Sequence, residues 1–203
     1  LEDGMKVLAV AYKTVPQEQI QIENEQDLIL SGYLAFFDAP KKTAADAIQK
    51  LKKLHVGIKV LTGDQRDVAV SVCRRLGIDT DRVLTGNDLE ALADNDWPVR
   101  VEKTAIFAEL TPGQKAAVVH TLQDNGHIVG FLGDGMNDLS SMIQADVGIS
   151  VDTAAETVKE GADVILLKKD LNVLEAGILE GRKAFFNMSK YIRITASSNF
   201  GNM

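Results

Sequence analysis

The sequence predicts an α/β protein built on a doubly wound, Rossmann-like parallel sheet with a long helix at its C-terminal end. Three observations carry this. Short apolar runs alternate with helix-length amphipathic stretches from Asp38 onward, as strands buried between two helical layers require. Glycine-rich, acidic turns follow two of those runs directly, at Thr62-Gly63-Asp64 and at Gly133-Asp134-Gly135-Met136-Asn137-Asp138. Residues 171–201 contain no proline and read as a single helix, with Gly177 and Gly181 as its weak points.

The elements follow in order. Met5–Tyr12 and Leu28–Phe37 read as two strands separated by a polar stretch. Thr43–Leu54 is an amphipathic helix whose apolar side carries Ala44, Ala47, Ile48, Leu51 and Leu54, with Gly57 as its stop. Ile58–Thr62 is a strand, and Val68, Val72 and Leu76 mark a helix ended by Gly77. Thr104–Ala108 is the next strand. Thr111 then caps a helix with Pro112 in its first turn and Gln114 completing a capping box. Ile128–Leu132, Val147–Ser150 and Val164–Leu167 complete the strands.

The formal net charge of −7 argues against a nucleic-acid-binding surface. The one cysteine, Cys73, excludes an internal disulfide and falls inside a helix pattern, which makes it a core residue. His55, His120 and His127 are scattered and form no metal-ligand cluster. No apolar run reaches the ~18 residues that span a bilayer. The first residues, Leu1-Glu2-Asp3-Gly4, do not resemble a signal peptide, and both ends read as cut within a longer pattern.

Three places carry chemistry. At Thr62-Gly63-Asp64 a hydroxyl, a residue without a Cβ and free N–H groups can cradle a phosphoryl oxygen, although the same residues also make an ordinary turn and cap. In the second turn Asp134 and Asp138 can converge on a cation, and oxygen-only donors suit Mg²⁺; a tight turn into a capped helix is the plain alternative. Lys115 places an ammonium in a helix's first turn, where the dipole opposes it; it is either a surface lysine or a fixed cation for a transferring phosphoryl group. Together they describe Mg²⁺-dependent phosphoryl transfer, without a nucleophile.

With Thr111-Pro112-Gly113-Gln114-Lys115, Ala145-Asp146-Val147-Gly148-Ile149-Ser150 and Ala162-Asp163-Val164-Ile165-Leu166-Leu167 in the same order, these motifs resemble the P-type cation-transporting ATPases of the haloacid dehalogenase superfamily. The resemblance covers nearly the whole chain. It implies an enzyme that uses ATP to phosphorylate an aspartate in a DKTGT motif and then hydrolyses the aspartyl phosphate, coupling this to cation transport. It also implies that Thr62, Gly63, Asp64, Lys115 and Asn137 act on the phosphoryl group, with Thr62, Gly63, Lys115 and Asn137 contacting it, and that Asp134 and Asp138 serve the Mg²⁺. Phe37-Asp38-Ala39-Pro40-Lys41 looks like the family's DPPR hinge, with alanine and lysine in place of proline and arginine.

The DKTGT motif is not in these residues. By the resemblance, residues 1–37 are the last strands of a nucleotide-binding domain, 38–170 a phosphorylation domain lacking its central nucleophile strand, and 171–203 a stalk helix leading into a transmembrane helix. That missing strand belongs between the strands ending at Thr62 and Gly133, so an unfilled slot is expected, and the chain alone is expected not to turn over ATP. The implied partners are the nucleotide, actuator and transmembrane domains of one membrane protein, ATP and a divalent cation, with this segment on the cytoplasmic side. The run from Thr195 to Asn202 is most similar to magnesium-transporting members. Asn199 and Asn202 are candidate transported-ion ligands, with Asn202 where calcium pumps carry a glutamate. Close helix packing of small residues is the alternative for that run. Two other functions remain open: a stand-alone phosphatase of the superfamily using Asp38, and a non-catalytic fragment that binds Mg²⁺ and phosphate.

Overall fold

The computed structural model describes residues 6–14, 26–36 and 42–201. The hinge-like stretch with Asp38, and Asn202, lie outside the described residues.

Strands β1 (Lys6–Tyr12) and β2 (Ile29–Phe36) form an antiparallel pair with an irregularity at Val10/Ala11. Both faces of this ribbon expose large apolar side chains, among them Leu8, Tyr12, Ile29, Tyr33 and Leu34. Two strands alone are marginal in water. A ribbon this apolar is suited to cover by further chain.

Helix α1 (Lys42–Lys53) follows, with Ala47, Ile48 and Leu51 buried. It ends earlier than expected. His55, at φ 58°, supplies the left-handed turn two residues before Gly57. Then come β3 (Val60–Leu61) and α2 (Arg66–Arg75), which closes as expected on Gly77 at φ 69°. The next three elements, β4 (Val83–Thr85), α3 (Gly86–Glu90) and α4 (Trp97–Lys103), were not anticipated from sequence. β5 (Ile106–Ala108) leads to α5 (Pro112–Asp124), whose Thr111–Gln114 capping box forms as expected. β6 (Gly130–Leu132), α6 (Leu139–Gln144), β7 (Val147–Val151), α7 (Glu156–Glu160) and β8 (Val164–Leu166) precede α8 (Leu171–Gly201).

The parallel strands form two three-stranded sheets, in the orders β3-β5-β4 and β6-β7-β8. Among the described residues β3 pairs only with β5, and β6 only with β7. Each therefore presents an edge, as the expected empty slot requires. The pleat sends alternate residues to opposite layers. Phe107 packs with Leu84, Val101, Val118 and Leu122 of the α4–α5 side, while Ile106 and Ala108 pack with Ile48, Ala69 and Cys73 of the α1–α2 side. In the second sheet Phe131 meets Val119, Met142 and Val158, whereas Ile149 and Val151 meet Leu174 of α8. Leu61 of β3 packs against both the Phe107 and the Phe131 clusters, so the two sheets share a core without sharing a ladder. Helix α8 is fastened to α1 by Lys50 Nζ donating to Asn172 Oδ1 at 2.9 Å and Arg182 Nη1 to the Leu54 carbonyl at 2.7 Å. Farther along, Phe185, Phe186, Tyr191 and Ile192 are exposed. Among the described residues no helix is long and apolar enough to cross a membrane.

Candidate phosphoryl-transfer site

The site is assembled from turns at the carboxyl ends of β3, β5, β6 and β8. After β3, the Thr62 hydroxyl donates to Asp64 Oδ2 at 3.2 Å and accepts from the Asp64 N–H at 3.0 Å, which folds the turn on itself. This turn is stitched to the one after β5: Leu110 N–H donates to the Thr62 carbonyl at 3.0 Å and Glu109 N–H to the Asp64 carbonyl at 2.9 Å. Glu109 carries a left-handed φ of 56°, a conformation that costs a non-glycine residue about 1 kcal/mol or more. The two donated bonds hold it there. Gly63 is exposed.

Thr111, next in sequence, starts α5 by accepting from Gln114 N–H at 3.3 Å, while Gln114 Oε1 accepts from Thr111 N–H at 2.9 Å. Gln114 Nε2 also reaches the Gly86 carbonyl at 3.1 Å, tying this helix start to α3. The capping box fixes the first turn, and with it Lys115. The lysine is only 7% exposed, and its Nζ lies 2.7 Å from Asp138 Oδ1. A surface lysine is thereby excluded. An ammonium taken out of water needs an opposite charge, and removing either member of such a buried pair typically costs ~3–5 kcal/mol.

Asp138 ends a single 3-10 turn, Met136–Asp138, and its N–H donates to the Gly135 carbonyl at 3.0 Å. Gly133 makes room for it: a Cβ there would lie 2.6 Å from the Asp138 Cβ. Gly133 N–H donates to the Ile149 carbonyl at 3.0 Å, continuing the β6–β7 ladder into the turn. Asp134 is exposed and ion-paired with Lys169, in the turn after β8. Lys169 was not foreseen; 35 residues separate the partners, and no spacing rule reaches that far. Asn137 is exposed, in the 3-10 turn that ends at Asp138.

The structure thus links the β3 and β5 turns through backbone bonds, and the α5 start to the β6 turn through Lys115 and Asp138. Among the described residues no hydrogen bond or ion pair joins Thr62 to Lys115, Asp134 or Asp138. The two groups sit on β3 and β6, on either side of the unpaired edges. Asn199 falls in the last turn of α8. Cys73 is a core residue as expected, and burial pushes its thiol up to about 11. Among the described residues no three His, Cys, Asp or Glu side chains gather to hold a metal. The Asp134 and Asp138 carboxylates are oxygen donors, each neutralised by an ammonium. This set fits Mg²⁺, which binds through one or two carboxylates plus waters and phosphate oxygens, rather than a metal needing a full protein cage.

Over 202 residues, 98% of its length, the chain is 48% identical to magnesium-transporting ATPase, P-type 1 of Escherichia coli (strain K12), covering 22% of that protein. It is 31% identical over 205 residues to calcium-transporting ATPase 1 of Bacillus cereus, with 99% of the chain and 23% of the relative covered. To the probable cation-transporting ATPase F of Mycobacterium bovis it is 34% identical over 208 residues, with 98% and 23% covered. The chain therefore spans less than a quarter of the length of these relatives. Residues 6–146 match the haloacid dehalogenase-like hydrolase family, and on the strength of that match and the strand-end turns the chain belongs to it.

Proposed function

We propose that this chain is the phosphoryl- and Mg²⁺-binding half of the phosphorylation domain of an ATP-driven cation pump that works through an aspartyl phosphate. Magnesium is the transported ion. The observation that carries the reading is the buried Lys115–Asp138 pair at the mouth of a sheet interrupted between β3 and β6. A fixed cation and a carboxylate stand on one side of the gap, and the Thr62-Gly63 turn stands on the other.

In this reading the strand bearing the phosphorylated aspartate pairs with both β3 and β6. Thr62 Oγ1 and the Gly63 N–H bind phosphoryl oxygens, and Asp64 orients the Thr62 hydroxyl through their 3.2 Å contact. Lys115 balances the charge that develops on the transferring group, worth ~10²–10³ in rate for a donor of this kind. Asp138 positions Lys115, and Asn137 steadies the phosphate side. Asp134 would hold the Mg²⁺, which when bound neutralises charge on the phosphoryl oxygens; Lys169 is the cation it displaces. ATP is the phosphoryl donor, and the nucleotide, actuator and transmembrane domains belong to the same polypeptide, with residues 171–203 as the stalk entering the membrane and this segment on the cytoplasmic side. Residues 1–37 close the nucleotide domain and 38–170 form the phosphorylation domain. Asn199 and Asn202 are proposed as contacts for the transported ion.

The names of the relatives support magnesium over calcium: the identity is 48% to the magnesium-transporting ATPase against 31% to the calcium-transporting one. Expression of the intact pump in cells deprived of their own magnesium uptake tests this directly. Growth at low magnesium, lost in Asp134→Asn, is the expected result; calcium-dependent rescue instead would overturn the assignment.

A further inference from the structure

A cavity of about 400 Å³ lies away from the strand ends, at the open edge of β4. Its lining is strongly basic. Arg66 reaches it from the first turn of α2, Arg82 from just before β4, and Arg100 and Lys103 from α4, against the single carboxylate of Asp81. This occurs in a chain whose formal net charge is −7. The sheet edge explains the convergence: α2 covers one face of β4–β5 and α4 the other, so basic side chains from both layers lean over the same unprotected strand.

Among the described residues none of the four cations forms an ion pair with a carboxylate within 4.0 Å. Asp88 lies near the cluster, and its carboxyl is held below its usual range first by hydrogen bonds from Thr85 and then by the charges of Arg66 and Arg100. Asp88 accepts from both the N–H and the hydroxyl of Thr85 at 2.8 Å. Glu102 is held by His127 at 2.9 Å and Asn125 at 3.2 Å. The end carbonyls of α4 are already served by Lys59, whose Nζ donates to those of Val101, Glu102 and Thr104. The lining cations are thus not needed to cap α4. Four cations set against the two nearby carboxylates of Asp81 and Asp88 leave an excess of positive charge, and a bound anion relieves that.

We propose that this cavity binds a small polyanion of the di- or triphosphate class, at a site separate from the strand-end turns. Planar guanidinium forks from Arg82 and Arg100 suit phosphate oxygens, and Lys103 adds a point charge. The site stands independently of the pump reading, because none of its chemistry uses Lys115, Asp134 or Asp138.

Calorimetric titration of the intact protein with inorganic pyrophosphate, without divalent cation, tests it. Wild type and Lys115→Met bind alike, with affinity falling as salt is raised. Arg82→Ala with Arg100→Ala binds at least about tenfold more weakly, the worth of one lost charge-assisted hydrogen bond. Arg82→Gln alone, a change at an exposed position, weakens binding in the same direction and serves if the double variant does not fold. Absence of binding to wild type, binding indifferent to the arginine changes, or binding lost only in Lys115→Met would each overturn the proposal. The last of these would assign the anion to the strand-end site.

Discussion

Gly133 shows how one residue's missing side chain governs the site. The Asp138 Cβ occupies the space that a Gly133 Cβ would need, at 2.6 Å, so Asp138 can face Lys115 only because position 133 has none. Gly133→Ala must push the 3-10 turn outward and pull the carboxylate off the ammonium. The expected outcome is a loss of ~1–3 kcal/mol in stability, typical of overpacking, together with weaker phosphoenzyme formation. Thermal unfolding and phosphorylation of the same variant check both. The sequence already announced the glycines, the two aspartates and Lys115 through motif order. It did not announce Lys169, because its partnership with Asp134 exists only once β6 and β8 lie in one sheet. Nor did it single out His55, whose φ of 58° ends α1 ahead of the more obvious Gly57.

At the scale of elements, α5 is the most informative. Its capping box was legible because Thr111 and Gln114 stand three apart with Pro112 between them, and the structure forms both reciprocal bonds. Thr111→Ala removes the oxygen that accepts from Gln114 N–H. A loss of about 1 kcal/mol is expected, read as a shift in the denaturation midpoint without a change in slope. Because Lys115 sits in that same first turn, activity should fall by more than stability alone explains. The stretch from Ile78 to Lys103 was not legible. β4 is three residues long, α3 five and α4 seven, all too short for hydrophobic period to register. α3 is capped by Thr85, whose hydroxyl accepts from the Asp88 N–H while the Asp88 carboxylate accepts from the Thr85 N–H, a pattern that reads as a plain turn in sequence. What holds these elements is tertiary: Leu84, Leu89 and Val101 are buried in the Phe107 cluster.

At the scale of the molecule, the decisive feature is a sheet interrupted between β3 and β6. Strand directions, the doubly wound layers and the long last helix all followed from sequence pattern, since buried parallel strands read as apolar runs between helices. The gap itself followed only from the family resemblance, which implied a strand absent from these residues. Leu61 keeps the halves packed through side chains, leaving the backbone edges of β3 and β6 to receive another strand. The exposed apolar ribbon β1–β2 and the exposed aromatics of α8 are further surfaces suited to cover by the rest of a larger protein. The central claim is that this chain lends its cation and carboxylates to an aspartate on that strand. It is tested most directly by labelling the intact pump with γ-phosphate-labelled ATP and measuring acid-stable, hydroxylamine-sensitive phosphoprotein. The account predicts Mg²⁺-dependent labelling that falls by about 10²-fold or more in Lys115→Met, with folding retained. Labelling undiminished in that variant would contradict it.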